Sequence, residues 1–400
     1  MSGFLARLGN PHLTYPVFHV AGTNGKGSTV ATLDALLRGA GLRVGRYTSP
    51  HLVDFRERIV VNGVPMQPEA IVEFLRVWDP EAARLGTTFF EVTTAMALHQ
   101  FAVQKVDVAL IEVGLGGRLD ATNVVHPVAA AVTQIGFDHM DYLGSTLAEI
   151  AGEKAGVFKR GAVAVIGDIR SETQLLLAKQ AEAIGASDVL ICDRDWHVSD
   201  VSVDATGTTF THTVNGNSER LGTSLRGVFQ AENSSTALAM LRGAGGEWAK
   251  IGARAREFLP TVRLAGRFQS VPPYVFDVAH NPDGAATIAA NLRALVVPGP
   301  VVAVLSVLKD KDWRGILSVL SEVTSQVILT NAPTAPHSRA WNVDEVFGWS
   351  QSMGFNTVLT RDFDVALHQA KASAATVLIT GSFHTVGDAM ERLQVDPLAR

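Results

Sequence analysis

From residue 15 onward, short apolar runs alternate with segments of helical spacing. The runs 15–21 (YPVFHVA), 106–114 (VDVALIEVG) and 128–136 (VAAAVTQIG) are largely apolar at consecutive positions, and 42–49 (LRVGRYTS) is a further short run with strand character. That pattern fits strands covered on both faces, as in a parallel sheet. Segment 27–41, GSTVATLDALLRGAG, has helical spacing and closes on glycine. Strands alternating with helices predict an α/β fold whose first domain is a doubly wound, mostly parallel sheet with a phosphate-binding loop (P-loop).

From 193 to 226 polar and apolar residues alternate between Gly/Asn turn signals, which predicts a small antiparallel β element. Helical spacing returns in QAENSSTALAMLRGA (230–244). A break at FLPTVRLAGRF (258–268) sets the expected boundary between a domain of residues 1–262 and one of residues 263–400. Beyond it come YVFDVA, DGAATIAANLRAL, VVAVLSVL, QVILT, TVLIT and a final helix, a second and smaller α/β domain.

Composition narrows the function. Four hundred residues with 47% apolar content suit two cores. A net charge of −5 without a dense basic run gives sequence-independent nucleic-acid binding little electrostatic support. The single cysteine, Cys192, forms no internal disulfide and fits a reducing compartment. Neither a secretory leader nor a membrane span is evident, so a cytoplasmic protein is expected.

Candidate chemistry falls at the ends of the four predicted strands. They run into GTNGKGS, SPH, GLGGRLDATN and GFDHMD, and open parallel sheets bind ligands beyond the carboxyl ends of their strands. In the first loop Gly22, Gly25 and Gly27 permit close approach to an anion, and Lys26 adds a cation. Its spacing is not the usual G-x-x-x-x-G-K-[ST], because Gly27 separates Lys26 from Ser28. Ser28 or Thr29 could ligate a nucleotide-bound Mg²⁺. Glu112 needs a metal, hydrogen bonds or a cation such as Arg118, since a carboxylate in an apolar strand is otherwise costly. Ser49, Glu112 and His139 would form a mixed oxygen and nitrogen shell, with histidine an unusual magnesium ligand, or His139 is structural.

Thr146 and Glu149 have capping-box spacing. Pattern alone reads Lys154 as a buried stem with its head in water. Asp277 and His280 in FDVAHNPDG mark either a site or an ordinary strand–helix turn capped by Asn281 or Asp283. LKDKDW and GSFHTVG occupy equivalent positions.

The stretches HVAGTNGKGS, TSPHL…RERI, FFEVTTAMAL, LIEVGLGGRLDATN, DHMDYLG, EKAGVFK, LAGRFQ, DVAHNPDG, LKDKD and GSFHTVG, in this order from 19 to 387, resemble the folylpolyglutamate synthase/dihydrofolate synthase family of the Mur ligase superfamily. The resemblance implies an ATP-binding central domain, a C-terminal Rossmann-like domain and an active site in the cleft between them. It also implies two magnesium ions and amide ligation through an acyl phosphate. Substrates would be ATP, L-glutamate and a folate or dihydropteroate, with the chain a monomer that binds neither nucleic acid nor membrane.

By motif, Lys26 with Thr23, Asn24, Gly25, Gly27, Ser28 and Thr29 would cradle the phosphates. Ser28, Ser49 and Glu112 would serve one magnesium and His139 a second. Lys154 matches a lysine that is carbamylated in the family, which would make it an anion supporting Mg²⁺. Gln230 and Asn233 match the adenine side, where Phe229 replaces a frequent histidine. Arg267 would reach the phosphates, and Asp277 and His280 the ribose or γ-phosphate region. Ser382 and His384 would lie near the incoming glutamate, with His384 replacing a frequent tyrosine. Lys26, Lys154 and His280 are the expected catalytic residues. Family members usually have a few dozen residues before the phosphate loop, including part of the pterin site; the shorter MSGFLARLGNPH implies an upstream start or reduced folate contacts. Two rivals remain at this point: a Mur-type ligase for another carboxylate, such as a cell-wall precursor, and a nucleotide-binding protein without ligase activity.

Overall fold

The computed structural model describes residues 1–398. An eight-stranded sheet is built from β1 (Val17–Ala21), β2 (Val44–Tyr47), β3 (Ile59–Val61), β4 (Val64–Pro65), β5 (Val108–Glu112), β6 (Ala129–Val132), β7 (Val163–Ile166) and β8 (Asp188–Ile191). Its order is β4-β3-β2-β5-β1-β6-β7-β8. The four strands expected from sequence are consecutive neighbours at its centre, all parallel. The sheet has four further strands that the apolar pattern does not announce. Strands β7 and β8 extend the parallel order, and β3 and β4 add an antiparallel edge. Runs as short as IVV, VAVI and DVLI are too brief to stand out by periodicity.

Both faces are covered. On one, Val17, Ala109, Ile111 and Tyr47 pack with Met96 and Phe101 of helix Phe89–Val103. Beside them Ala130, Val132 and Ile166 pack with Ile150 of helix Leu147–Ala155 and Leu177 of helix Ser171–Ile184. On the other face Phe18 meets Trp248 edge to face, and helix Lys26–Gly39 lies along β1, β2 and β5. Each fully buried Leu, Ile or Phe stabilises the fold by about 1.5–3 kcal/mol.

Strands β9 (His197–Asp204), β10 (Gly207–Val214) and β11 (Asn217–Thr223) form a three-stranded sheet in the order β11-β10-β9. Two-residue connections dictate antiparallel pairing, as the alternation predicts.

The chain divides into two compact units. One comprises Met1–Asp200, Phe210–Thr223 and Ala231–Val262; the other holds Val201–Thr209, Ser224–Gln230 and the chain from Arg263 onward. The second unit contains a six-stranded sheet of β12 (Gln269–Val271), β13 (Tyr274–Phe276), β14 (Val301–Leu305), β15 (Gln326–Leu329), β16 (Thr357–Leu359) and β17 (Thr376–Thr380). Its order is β12-β13-β17-β14-β15-β16, parallel except for β12. Val275, Leu305, Leu329 and Leu378 pack there with Ile288, Ile316 and Leu317 from two helices.

Candidate active site

The phosphate loop joins β1 to helix Lys26–Gly39. Gly22 and Gly25 have φ of 148° and 92°. A Cβ at Gly22 would lie 1.8 Å from Thr133 Oγ1, and one at Gly25 would lie 2.3 Å from Asn233 Oδ1. Both conformation and close packing therefore require glycine at these positions. The altered spacing still delivers Lys26 and Gly27 to the first turn of a helix, where free amides favour an anion. Thr23 is buried and exchanges hydrogen bonds with Gly136, and Asn24 leans on Thr133 and Gln134. Ser28 is buried. Thr29 is fully buried, and its hydroxyl donates to the Asn233 carbonyl at 3.4 Å. That contact makes Thr29 a support behind the loop and leaves Ser28 as the better candidate for a metal-facing hydroxyl.

Two lysines meet at one carbonyl. Lys26 Nζ donates to Gly22 O at 3.0 Å and to Thr23 O at 3.2 Å, while Lys154 Nζ reaches Gly22 O at 3.0 Å. Lys154 is only 4% exposed, so its head does not reach water as the pattern alone suggests. Small neighbours on helix Leu147–Ala155 allow the whole side chain to point inward. Burial, aided by the Lys26 charge, pulls the Lys154 ammonium down to about 7, against the opposing pull of Asp138 and Asp120.

Glu112 ends β5, buried, in register with Val20 of β1. Arg118 pairs with Glu153 instead, at 2.8 Å, which removes it as the expected partner of Glu112. The turn after Glu112 is held by Asp120, a residue the sequence reading did not single out. Its carboxylate accepts from the amides of Gly114, Leu115 and Thr122 and from the Thr122 hydroxyl. Burial raises its pKa against these donors. His19 Nε2 lies 2.9 Å from the same hydroxyl, and burial holds this imidazole near 3, hence neutral. Because the Thr122 hydroxyl is spent on Asp120, His19 must donate through Nε2.

His139 has φ of 52° and precedes the short helix Met140–Leu143; its Nε2 is 3.8 Å from Asp138 Oδ2. Ser49 is partly exposed just beyond β2. Thr146 and Glu149 make the expected capping box. Gln230 and Asn233 lie three residues apart on helix Phe229–Ala244. Near the β2 end lies a further group missed from sequence. Arg58 donates to His51 Nδ1 at 2.9 Å, and its guanidinium stands 5.9 Å from the ring centres of Phe55 and Phe89. Phe89 is 66% exposed. Spacing gives no sign of this group, because its members come from two separated segments.

Among the described residues no three His, Cys, Asp or Glu side chains form a group able to hold a metal. The predicted donors, Ser28, Ser49, Glu112, His139 and a carbamylated Lys154, include only two residues of those types. This oxygen-rich, incomplete set fits Mg²⁺, which keeps waters and takes substrate phosphates as ligands.

In the second unit, β13 and β17 are neighbours, and their ends carry Asp277–His280 and Ser382–His384. Asp277 accepts from the amides of Phe268 and Ala279, at 2.8 and 2.9 Å. Burial raises its pKa, opposed by Arg267 and these amides. Arg267 lies 5.7 Å from the centre of the Phe383 ring, and His280 lies 6.1 Å from it. His280 Nδ1 contacts Val278 O at 2.8 Å. Asn281, not Asp283, caps the following helix. Ser382 caps helix Phe383–Arg392, so its hydroxyl is engaged with Thr385. His384 contacts the Thr334 hydroxyl at 3.0 Å. These residues therefore cluster by themselves around two adjacent strand ends.

Residues 20–241 match the family model described as Mur ligase middle domain, and residues 266–383 match that of the Mur ligase, glutamate ligase domain. A curated Escherichia coli (strain K12) protein, dihydrofolate synthase/folylpolyglutamate synthase, is 37% identical over 96% of this chain and 88% of its own. This chain belongs to that family of Mur ligases.

Two solved members extend the likeness to three dimensions. Mycobacterium tuberculosis folylpolyglutamate synthase complexed with ADP superposes with a TM-score of 0.88 at 34% identity, covering 99% of this chain and 94% of that one. A bifunctional folylpolyglutamate synthase/dihydrofolate synthase with Mn, AMPPNP and L-glutamate bound has a TM-score of 0.86 at 34% identity, covering 98% and 93%. No helix among the described residues is long and apolar enough to cross a membrane.

Proposed function

We propose that this chain is an ATP-dependent ligase that joins L-glutamate to folates and to dihydropteroate. The observation that carries the reading is the convergence at one sheet edge: the phosphate loop, Lys26, Lys154 and Glu112 meet at the ends of the neighbouring strands β1 and β5 in a Mur ligase frame.

A carboxylate oxygen of the folate attacks the γ-phosphorus of ATP; an O–P bond forms, the bond to the β-phosphate oxygen breaks, and ADP leaves. The glutamate amine then attacks the acyl carbon. The tetrahedral adduct expels phosphate, and the amine proton passes to solvent or a base. Lys26 and the helix amides neutralise charge on the β/γ-phosphates, where such preorganised donors act most strongly. Magnesium, when bound, neutralises triphosphate charge; Ser28, Ser49 and Glu112 would hold one ion and His139 a second. Lys154 as a carbamate would turn a costly buried cation into an oxygen donor, and its lowered pKa supplies the neutral amine that carbamylation needs.

Gln230 and Asn233 face the adenine, Arg267 the phosphates, Asp277 and His280 the ribose or γ-phosphate, and Ser382 and His384 the glutamate. Asp277 also shapes its loop, since each of its oxygens holds a backbone amide. The exposed Phe89 face, with Phe55 and Arg58, suits a flat pterin ring. We read the chain as a cytoplasmic monomer, in keeping with its single buried cysteine.

The test is ADP formation by the purified full chain with Mg²⁺, L-glutamate and either tetrahydrofolate or dihydropteroate. Turnover that requires both acceptor and glutamate is expected. ADP binding without acceptor-dependent turnover would overturn the reading.

A further inference from the structure

The phosphate loop leans on the segment that continues β6. Thr133 Oγ1 donates to Asn24 O at 2.7 Å, and Gln134 O accepts from the Thr23 amide at 2.8 Å. Gly136 N donates to Thr23 Oγ1 at 2.9 Å, and that hydroxyl donates back to Gly136 O at 3.1 Å. Asn24 and Gln134 form an isolated antiparallel bridge. Three of the four residues from 133 to 136 are thus committed to the loop. The fourth, Ile135, turns its amide the other way and donates it to Asp168 Oδ2 at 2.7 Å.

Asp168 lies just past the end of β7, fully buried. Its Oδ1 accepts from the Arg170 amide at 2.9 Å, and Arg170 Nη2 reaches Oδ2 at 3.0 Å. Its own carbonyl accepts from Gln174 at 2.7 Å. Asp168 is therefore fixed on both sides and presents one carboxylate oxygen to one amide. It touches no residue of the phosphate loop in these hydrogen bonds, and it falls outside every motif of the family resemblance.

We propose that Asp168 is a positioning residue for the nucleotide: by clamping the Ile135 amide it fixes the 133–136 segment, and through it the Thr23–Asn24 part of the phosphate loop. Without the clamp a buried amide loses its acceptor, and the segment has reason to shift toward another one. The inference rests on reading the loop as the nucleotide site.

The experiment measures ADP affinity by titration calorimetry on the full chain, with steady-state kinetics in parallel. Asp168→Asn keeps one acceptor oxygen for Ile135 but sets an NH₂ against the Arg170 amide, so it is expected to bind ADP more weakly than wild type and more tightly than Asp168→Ala. Asp168→Ala should bind about fivefold or more weakly. Its KM for ATP should rise while kcat at saturating ATP and KM for the folate stay near wild type. A merely structural role would lower the active fraction and leave KM for ATP unmoved. Thr23→Val should weaken binding less in the Asp168→Ala background than in wild type, because both act through one segment.

Should Asp168→Ala fail to fold, Arg170→Ala decides, since Arg170 holds the Asp168 oxygen that clamps Ile135 and its loss loosens that clamp. Weaker ADP binding with a raised KM for ATP and unchanged kcat supports the inference, and affinity and KM equal to wild type overturn it. Equal affinity of wild type and Asp168→Ala also overturns it. Wild-type protein that binds no ADP would instead defeat the nucleotide reading itself.

Discussion

Lys26 and Lys154 donate to the same carbonyl oxygen, that of Gly22, each at 3.0 Å. Two ammonium groups so close repel each other, and one of them is buried. The arrangement is stable only where anions or proton loss relieve it, which is what a triphosphate, a carbamate or a neutral amine would do.

Lys26→Ala removes the cation from the phosphate loop without opening the core. Turnover should fall by about a hundredfold or more, the scale seen when one preorganised charge donor is removed. Steady-state kinetics beside an unchanged far-UV spectrum checks this. Activity within threefold of wild type would deny Lys26 its role.

For Lys154 the sign of the pH effect follows from its pKa of about 7, against an ordinary 10.5. The neutral amine dominates above pH 7 and is lost as pH falls below it, so carbamate formation weakens on the acid side. Activity at pH 6 should drop further when dissolved CO₂ is stripped, and bicarbonate should restore it. Carbon-13 NMR of protein in labelled bicarbonate reads the carbamate directly, and its absence from active enzyme would exclude this chemistry.

Gly25→Ala places a methyl group 2.3 Å from Asn233 Oδ1 on a residue with φ of 92°. The left-handed backbone alone costs about 1–2 kcal/mol. Weaker nucleotide binding by about tenfold, from strain together with the clash, is the expected outcome. Calorimetry with ADP measures it, and unchanged affinity would mean the loop tolerates a different path.

Glu232 predicts how stability changes with pH. Its Oε2 is buried without a hydrogen-bond partner, and burial pushes its carboxyl up to about 7 from 4.5, with Asp193 adding to the shift against a local backbone amide. Between those values the folded chain keeps a proton that the unfolded chain has released. Its contribution is therefore complete below 4.5 and fades as pH rises through 7. Glu232→Gln should be more stable than wild type at pH 8, by about 1–3 kcal/mol, and near it at pH 4.5. Urea unfolding at the two values decides, and an equal difference at both would refute the assignment.

The central sheet was legible because β1, β5 and β6 are largely apolar on consecutive positions and all four central strands end in polar loops. Short strands such as Ile59–Val61 were not, since three residues carry no period. Lys26 and Glu112 could be named from their loops. The inward turn of Lys154 could not, because whether a lysine head meets water depends on what packs over its helix. Asp120 and Asp168 were missed for a related reason: each works by accepting backbone amides, a contact that depends on tertiary position and leaves no spacing in the sequence.

The most direct test of the site is a crystal of this chain grown with AMPPNP and MnCl₂ and measured at the manganese edge. The account predicts anomalous density within about 2.5 Å of Glu112 or the Ser28 or Ser49 hydroxyl, with the β/γ-phosphates on Lys26 and the amides that follow it. Manganese and phosphates bound away from these residues would contradict it.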